Sequence, residues 1–320
     1  MYQSALKFHG LGQDLDHDDF FPTDAVRDLE DDVLAYLRSR PVRFVVLYGS
    51  VGAGKSTVLK RLIIRLNKSN EFLVAEMNIN DPGKLGEAMI TDKLLRMMGE
   101  APRRSRNSEL TGEILKEKVA ESGRRVLLVI DDAQRLRAKV LEALKNLMEK
   151  GISVLLAAHT QLARKLDLAM YEEIGLRTET FEVPGVVGDV AGYLEFLLKK
   201  SGGSIDSFSS EAVDEMSRLC KTPRQVRKLA WLALKRAPVN NEQQISLKTF
   251  QEIFPKDFAH VLVELRRMGY THREIAEELL EDPRRIVLGL QGRLPENDDL
   301  YRRIGVFLSG LGINFTSNAG

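Results

Sequence analysis

The sequence predicts an α/β fold in which a parallel sheet is flanked by helices and followed by an α-helical lid and a C-terminal helical, helix-turn-helix-like region. Three observations carry the prediction. A short apolar run, Phe44 to Tyr48, opens into Gly49-Ser50-Val51-Gly52-Ala53-Gly54-Lys55-Ser56, and Thr57 to Leu66 then sets Val58, Leu59, Leu62, Ile63 and Leu66 at helical spacing. A second apolar run, Val126 to Ile130, ends in the adjacent carboxylates Asp131 and Asp132. Beyond Pro184-Gly185 the strand-like runs stop and helical patterns alone continue.

Residues 1–40 read as an acidic leader and a helix. Asp14, Asp16, Asp18 and Asp19 precede Phe20-Phe21-Pro22, and a helix starts after Thr23 or Asp24 and runs to about Arg38 on Val26, Leu29, Val33, Leu34 and Leu37. Pro41 separates it from the first strand, Arg43 to Tyr48. Further strand-like runs follow at Phe72 to Ile79, Arg125 to Ile130, Ile152 to Ala158 and Thr178 to Val183, with helical patterns between them. That alternation is how a parallel sheet wrapped by helices is written. Asp189 to Lys200, Ser209 to Cys220 and Thr222 to Arg236 are then helices, the last with Thr222 as N-cap and Pro223 at its first position. Ala237 to Gln244 reads as a linker. The expected division is a leader with its helix over 1–40, a core over 41–185, a lid over 186–240 and a C-terminal helical region over 241–320.

The 320 residues allow two domains or one large core with appendages. A formal charge of +1 argues neither for nor against a polyanionic partner, because a local basic patch can hide inside a balanced total. The single cysteine, Cys220, excludes an intramolecular disulfide and argues against structural zinc; beside Met216 and Leu219 it reads as buried filler. Met1 to Gly10 has no signal-peptide core, and no run approaches the ~18 apolar residues that span a bilayer. The expectation is a cytoplasmic protein without a membrane segment.

The first loop matches G-x-x-x-x-G-K-[ST], a pattern that cradles phosphate. Glycines let backbone N–H groups face a β-phosphate without a Cβ in the way, a lysine reaches the β/γ oxygens, and a hydroxyl ligates Mg2+. On this reading Gly49, Ser50, Val51, Gly52, Ala53, Gly54, Lys55, Ser56 and Thr57 bind ATP, with Lys55 on the phosphates and Ser56 on the metal. The acidic strand end looks like the Walker B motif, with Asp131 holding magnesium through water and Asp132 polarising the attacking water. The alternative is a solvated strand end followed by a helix N-cap. Ile152 to Ala158 ends in the polar pair His159-Thr160; a resemblance to additional-strand ATPases implies that a polar side chain at this strand end senses the γ-phosphate, with His159 the first choice and Thr160 the second, against a purely structural histidine.

The order of phosphate loop, acidic strand, polar strand end and helical lid resembles the AAA+ ATPases. More narrowly, the chain is similar to the branch that contains the transposition regulators TnsC and MuB and the secretion-linked ATPase ExeA. The residues that carry this are the Tyr2 to Leu11 leader with Phe20-Phe21, the Phe44 to Thr57 strand and loop, Asp131-Asp132-Ala133-Gln134-Arg135-Leu136, Phe208-Ser209-Ser210-Glu211-Ala212-Val213, and Thr222-Pro223-Arg224-Gln225-Val226-Arg227. The similarity covers about residues 1–237. It implies that Arg224 acts as sensor 2 on the γ-phosphate of its own subunit. It also implies that Arg177, with Arg164 as the fallback, is the arginine finger offered to a neighbour, since a planar cation spreads charge over transition-state oxygens. The chain departs from the family at Asp132, where glutamate is usual; a carboxylate one methylene shorter implies slow hydrolysis.

The resemblance further implies a homo-oligomeric ring or helical filament that forms with ATP on duplex DNA and recruits or regulates a transposase-type partner. Arg103, Arg104 and Arg106 suit phosphate contact without base reading, though a solvated charge run or a protein-binding loop reads equally well. Residues 257–293 resemble a helix-turn-helix, with Arg284, Arg285, Gln291 and Arg293 on the recognition element. Acids outnumber arginines there, which leaves partner docking open beside DNA contact. Two other roles stand as alternatives within the resemblance: an origin-recognition or helicase-loading ATPase, and an ExeA-like secretion or envelope-assembly ATPase. The latter normally continues into a membrane-spanning helix, for which this sequence has no matching run. A nucleotide-gated scaffold with negligible turnover is the remaining reading.

Overall fold

Phe44–Tyr48 forms β1, an interior strand of a parallel sheet, with Ile152–Ala158 (β4) on one side and Thr178–Glu182 (β5) on the other. Arg125–Ile130 (β3) pairs with β4, and Phe72–Met77 (β2) closes the order β2-β3-β4-β1-β5. The sequence is described by a computed structural model at residues 2–16, 19–77, 86–100, 108–160, 162, 178–253, 265, 268, 270–295 and 298–313. Two compact units emerge: Asp24–Gly49 with Gly54–Val183, which holds the sheet, and Met1–Thr23 with Ser50–Ala53 and Pro184–Gly320, which is helical.

In the sheet unit, β4 is buried along its whole length and β3 from Val126 onward, as sequences that are apolar but for Ser153 require of strands covered on both faces; the Ser153 hydroxyl accepts from the Arg43 N–H at 3.0 Å. The edge strand β5 instead alternates polar and charged residues, Thr178, Glu179, Thr180 and Glu182, around half-buried Phe181, which leaves its open side water-compatible. Val183 lies past the strand, but its N–H still donates to the Tyr48 carbonyl at 2.8 Å. The expected extension of β2 to Ile79 falls outside the described residues.

Helices cover the sheet at Asp24–Ser39 (α2), Lys55–Ser69 (α3), Glu87–Met97 (α4), Ser108–Glu121 (α5) and Ala138–Glu149 (α6). α2 is tied to α3 by a carboxylate within the apolar contact. Glu30 is 1% exposed and accepts from Arg61 Nε at 2.5 Å and Nη2 at 3.1 Å, and from Arg65 Nη1 at 3.2 Å. Arg65 Nη2 also donates to Asp31 at 2.5 Å. A carboxylate at that depth is tolerable because each oxygen is met by a fixed guanidinium fork.

The helical unit contains Tyr2–Phe8 (α1), Val190–Lys200 (α7), Ser210–Leu219 (α8), Pro223–Asn240 (α9), Leu247–Ile253 (α10), His272–Leu279 (α11), Pro283–Leu290 (α12) and Leu300–Leu311 (α13). Leu194 and Leu197 of α7, Leu229 and Leu234 of α9, Ile286 of α12 and Ile304 and Leu308 of α13 share one core. Helices from the expected lid range and from the expected C-terminal range therefore pack together. α13 is apolar nearly all round, with Leu300, Tyr301 and Ile304 to Leu311 buried, so it can only sit inside such a core.

α9 begins as the sequence predicts. The Gln225 N–H donates to Thr222 Oγ1 at 3.3 Å, the Gln225 side chain accepts from the Thr222 N–H at 3.1 Å, and Pro223 occupies the first turn. Its end differs: the helix continues through Pro238 to Asn240, where the sequence predicts a linker from Ala237. Proline has no N–H, so the Leu234 carbonyl one turn back loses its helical partner. The His9 ring supplies the replacement, donating from Nε2 to that oxygen at 3.1 Å. A distant residue thus repairs the break that proline alone predicts.

The leader is bound to the same helices. The Gly12 N–H donates to the Ser201 carbonyl at 2.8 Å, Arg227 pairs with Asp16 at 3.0 Å, and Tyr2 meets Trp231 edge to face at 5.3 Å. Phe21 packs on Tyr193 and Phe196 of α7 at 5.5 and 5.3 Å.

Candidate functional site

The C-terminal ends of β1, β4 and β3 stand side by side, because Tyr48 pairs with Ala158 and Leu156 with Ile130. Neighbouring strands are ~4.8 Å apart, so the segments that leave these strand ends share one edge of the sheet. The phosphate loop leaves β1, His159 comes directly after β4, and Asp131 with Asp132 come directly after β3. This edge is where open α/β sheets present ligand-binding groups.

The loop adopts the backbone its glycines permit. Gly52 and Gly54 have φ of +82° and +99°, a region that side chains with a Cβ rarely enter. The Ala53 N–H donates to the Ser50 carbonyl at 3.2 Å to close the turn, and Gly54 accepts from the Val58 N–H at 2.9 Å to start α3. Lys55 Nζ donates to the Gly49 carbonyl at 2.8 Å, which holds its ammonium at the loop. The Ser56 hydroxyl stands exposed in the first turn of α3. The helix start offers N–H groups and a favourable dipole to an anion.

These residues fit a magnesium–triphosphate. Ser56 supplies a hydroxyl and Asp131 a carboxylate, both hard oxygen donors suited to Mg2+, which takes the rest of its shell from water and phosphate. Among the described residues, no group of three or more His, Cys, Asp and Glu forms a self-contained metal cage.

Past β3 the chain turns sharply. Asp132 lies in the left-handed region at φ +54°, which aspartate tolerates better than most residues, and its N–H donates to Asp131 Oδ1 at 2.8 Å. Asp132 occupies the N-cap position of the 3-10 turn Ala133–Arg135 without a side-chain bond to that turn's N–H groups. Instead Asp132 Oδ1 accepts from Gln134 Nε2 at 3.2 Å, and Gln134 Oε1 accepts from the His159 N–H at 3.2 Å. Asp132 and His159, 27 positions apart, are joined through one amide. Sequence reasoning placed Gln134 in a signature without giving it a role; its position two residues past Asp132 was the available signal. Thr160 follows His159 at the start of a helical turn and is half-buried. Tyr48, the last residue of β1, reaches Glu182 at 3.5 Å, and burial first, then that carboxylate, raises the pKa of its phenol.

Arg224 lies in the first turn of α9. Its N–H donates to the Gly52 carbonyl at 3.4 Å and its side-chain stem covers Gly52, both groups belonging to the helical unit. Of the arginines named for DNA, Arg284 is exposed at the start of α12, with its N–H capped by Asp282 Oδ1 at 2.6 Å. Arg285 is engaged by Glu281 at 3.1 Å and Asp298 at 2.7 Å. Gln291 and Arg293 are exposed. α11 carries a Thr271/Glu274 capping box, and Pro283 opens α12 after the Asp282 cap. The Arg103, Arg104 and Arg106 cluster, Arg164 and Arg177 lie outside the described residues.

A family model described as an AAA domain matches residues 38–166. The fold is that of AAA+ P-loop proteins. Among solved structures, the chain is similar to Cdc6p from Pyrobaculum aerophilum at 18% identity and a TM-score of 0.53, over 82% of this chain and 75% of that one. It is also similar to the Aeropyrum pernix ORC2 protein, solved in ADPNP and ADP complexes, at 16% identity and a TM-score of 0.51, over 95% of this chain and 91% of that one. At such identities these likenesses speak to the AAA+ architecture with its helical C-terminal part. No curated protein matches the sequence. Among the described residues no helix is long and apolar enough to cross a membrane.

Proposed function

We propose that this chain is an ATP-dependent AAA+ switch that assembles with ATP and Mg2+ on duplex DNA as a ring or helical filament and regulates a protein partner of the transposase type. The observation that carries the proposal is the shared sheet edge, which sets the loop with Lys55 and Ser56 beside the strand ends that bear Asp131, Asp132 and His159. Gly49 to Thr57 bind the phosphates through backbone N–H groups, and Lys55 leaves the Gly49 carbonyl for the β/γ oxygens. Ser56, directly, and Asp131, through water, would hold the cation, which would supply charge neutralisation at the phosphates. Asp132 orients the attacking water and takes up its proton, His159 senses the γ-phosphate, and Arg224 contacts it from the lid. Arg177 of a neighbouring copy completes the site, so that ATP joins subunits and hydrolysis separates them. The short Asp132 carboxylate keeps turnover slow.

Arg103, Arg104 and Arg106, clustered in the sequence, and Arg284 at the exposed start of α12, are the candidate contacts to DNA phosphates. A second reading, origin recognition or helicase loading, is favoured by the likeness to Cdc6p and the ORC2 protein over most of the chain. Negative-stain electron microscopy with a slowly hydrolysed ATP analogue, with and without duplex DNA, tests the common core of both. Rings or filaments that need nucleotide and DNA are expected; monomers under every condition overturn the proposal. Recruitment of a transposase against recruitment of a helicase then separates the two readings.

A further inference from the structure

We infer that Gln134 is a positioning residue for hydrolysis, holding the Asp132 carboxylate in register with the end of β4. The inference rests on the proposed catalytic role of Asp132 and deepens it. Gln134 Oε1 faces the His159 N–H, which can only donate, so the amide orientation is fixed and Nε2 must point its hydrogens at Asp132 Oδ1. The two bonds therefore require glutamine at this place: a glutamate of the same length would bring an oxygen to the carboxylate, and an aliphatic chain would satisfy neither neighbour.

The turn that carries Gln134 is rigidly seated. Ala133 is fully buried, Leu136 is buried beside it in the core of the sheet unit, and the Leu136 N–H donates to the Ala133 carbonyl at 3.0 Å. Asp132 itself has no such anchor; it is exposed and sits in a left-handed backbone conformation. The amide of Gln134, and the hydrogen bond from the Asp132 N–H to Asp131 Oδ1, are what confine it. Because the other end of the same amide holds the first residue past β4, a displacement of His159 by a γ-phosphate is transmitted to the carboxylate that orients the water. A short acid that must reach the water depends on such placement, since a misplacement of about 1 Å costs on the order of 100-fold in rate.

Steady-state ATP hydrolysis by the full chain with Mg2+ and duplex DNA, together with ATP binding and thermal melting, provides the test. Gln134→Leu should lower kcat at least tenfold while KM and ATP affinity stay within threefold. Gln134→Glu, which keeps an acceptor for the His159 N–H and loses the donor to Asp132, should lower kcat likewise; a role confined to anchoring the turn would leave its kcat intact. In an Asp132→Asn background Gln134→Leu should cause no further loss, because the group it positions is gone. Independent, multiplicative losses in that background, or wild-type kcat in Gln134→Glu, overturn the inference while leaving Asp132 in its role. Wild-type kcat in Asp132→Asn alone, or no turnover in the parent chain, overturns the catalytic reading of Asp132 and this role with it.

Discussion

Gly52 lies flat against the side-chain stem of Arg224: a Cβ built on Gly52 would overlap the Arg224 Cβ and crowd its Cγ and Cδ. Gly52 and the arginine expected to act as sensor 2, both in the helical unit, are therefore in van der Waals contact at a place where only glycine fits.

Gly52→Ala should be more damaging than Gly54→Ala in the protein without nucleotide. Both residues have positive φ, which costs a side chain about 1–2 kcal/mol, but a Cβ at Gly54 meets nothing within 4 Å. Only at Gly52 does steric overlap with Arg224 add to that strain. Urea unfolding followed by circular dichroism should show the larger loss for Gly52→Ala, with ATP affinity reduced at least tenfold. Equal losses for the two variants would mean that Arg224 does not rest on the loop in solution.

Lys55→Ala should abolish nucleotide-driven assembly with little effect on folding. In the structure Lys55 Nζ donates to the Gly49 carbonyl, an acceptor that belongs to the loop itself. Its main work comes when phosphate arrives. Size-exclusion chromatography with light scattering, with and without ATP analogue, checks this; assembly that persists in the variant would contradict the site.

Much of the fold, and the loop and strand ends from which the candidate site is built, are legible in the sequence for a physical reason. Strands β1, β3 and β4 are largely buried on both faces and so appear as runs that are almost wholly apolar, and the caps at Thr222, Thr271 and Asp282 obey local rules that a few residues suffice to reveal. Two features are not legible because their partners are remote in sequence. Pro238 signals a helix end, and nothing near it shows that His9 satisfies the Leu234 carbonyl. Gln134 belongs to a recognisable signature, yet its contacts emerge only when β4 brings the His159 N–H within 3.2 Å.

Glu30 is the residue whose removal should most weaken the attachment of α2 to α3. Glu30→Ala withdraws the buried acceptor of Arg61 and Arg65 and leaves a gap in the apolar contact. Both arginines are more than a third exposed, so water screens part of the loss, and roughly 2 kcal/mol is the expected cost. The sheet unit should unfold at lower urea with an unchanged slope. A midpoint equal to that of the parent would show that the ion-pair cluster contributes specificity without net stability.

His9 and Pro238 should be coupled in stability although they do not bond to each other. His9→Ala strips the Leu234 carbonyl of its replacement donor, at a cost of about 1 kcal/mol. In Pro238→Ala the helix regains an N–H that can reach the same oxygen, so His9→Ala should then cost markedly less. The pH dependence has a fixed sign. Burial lowers the His9 pKa from its ordinary value, more strongly than the bond to Leu234 raises it, so the folded chain holds this proton less tightly than the unfolded one. Its contribution to stability is therefore present above the unfolded pKa of about 6.5 and is lost as pH falls through the lower, folded value. Melting of the helical unit between pH 7.5 and pH 5 should drop further in the parent than in His9→Gln, which does not titrate. A double-mutant cycle with no coupling, or equal pH dependence in the two proteins, would remove His9 from the repair of the proline break.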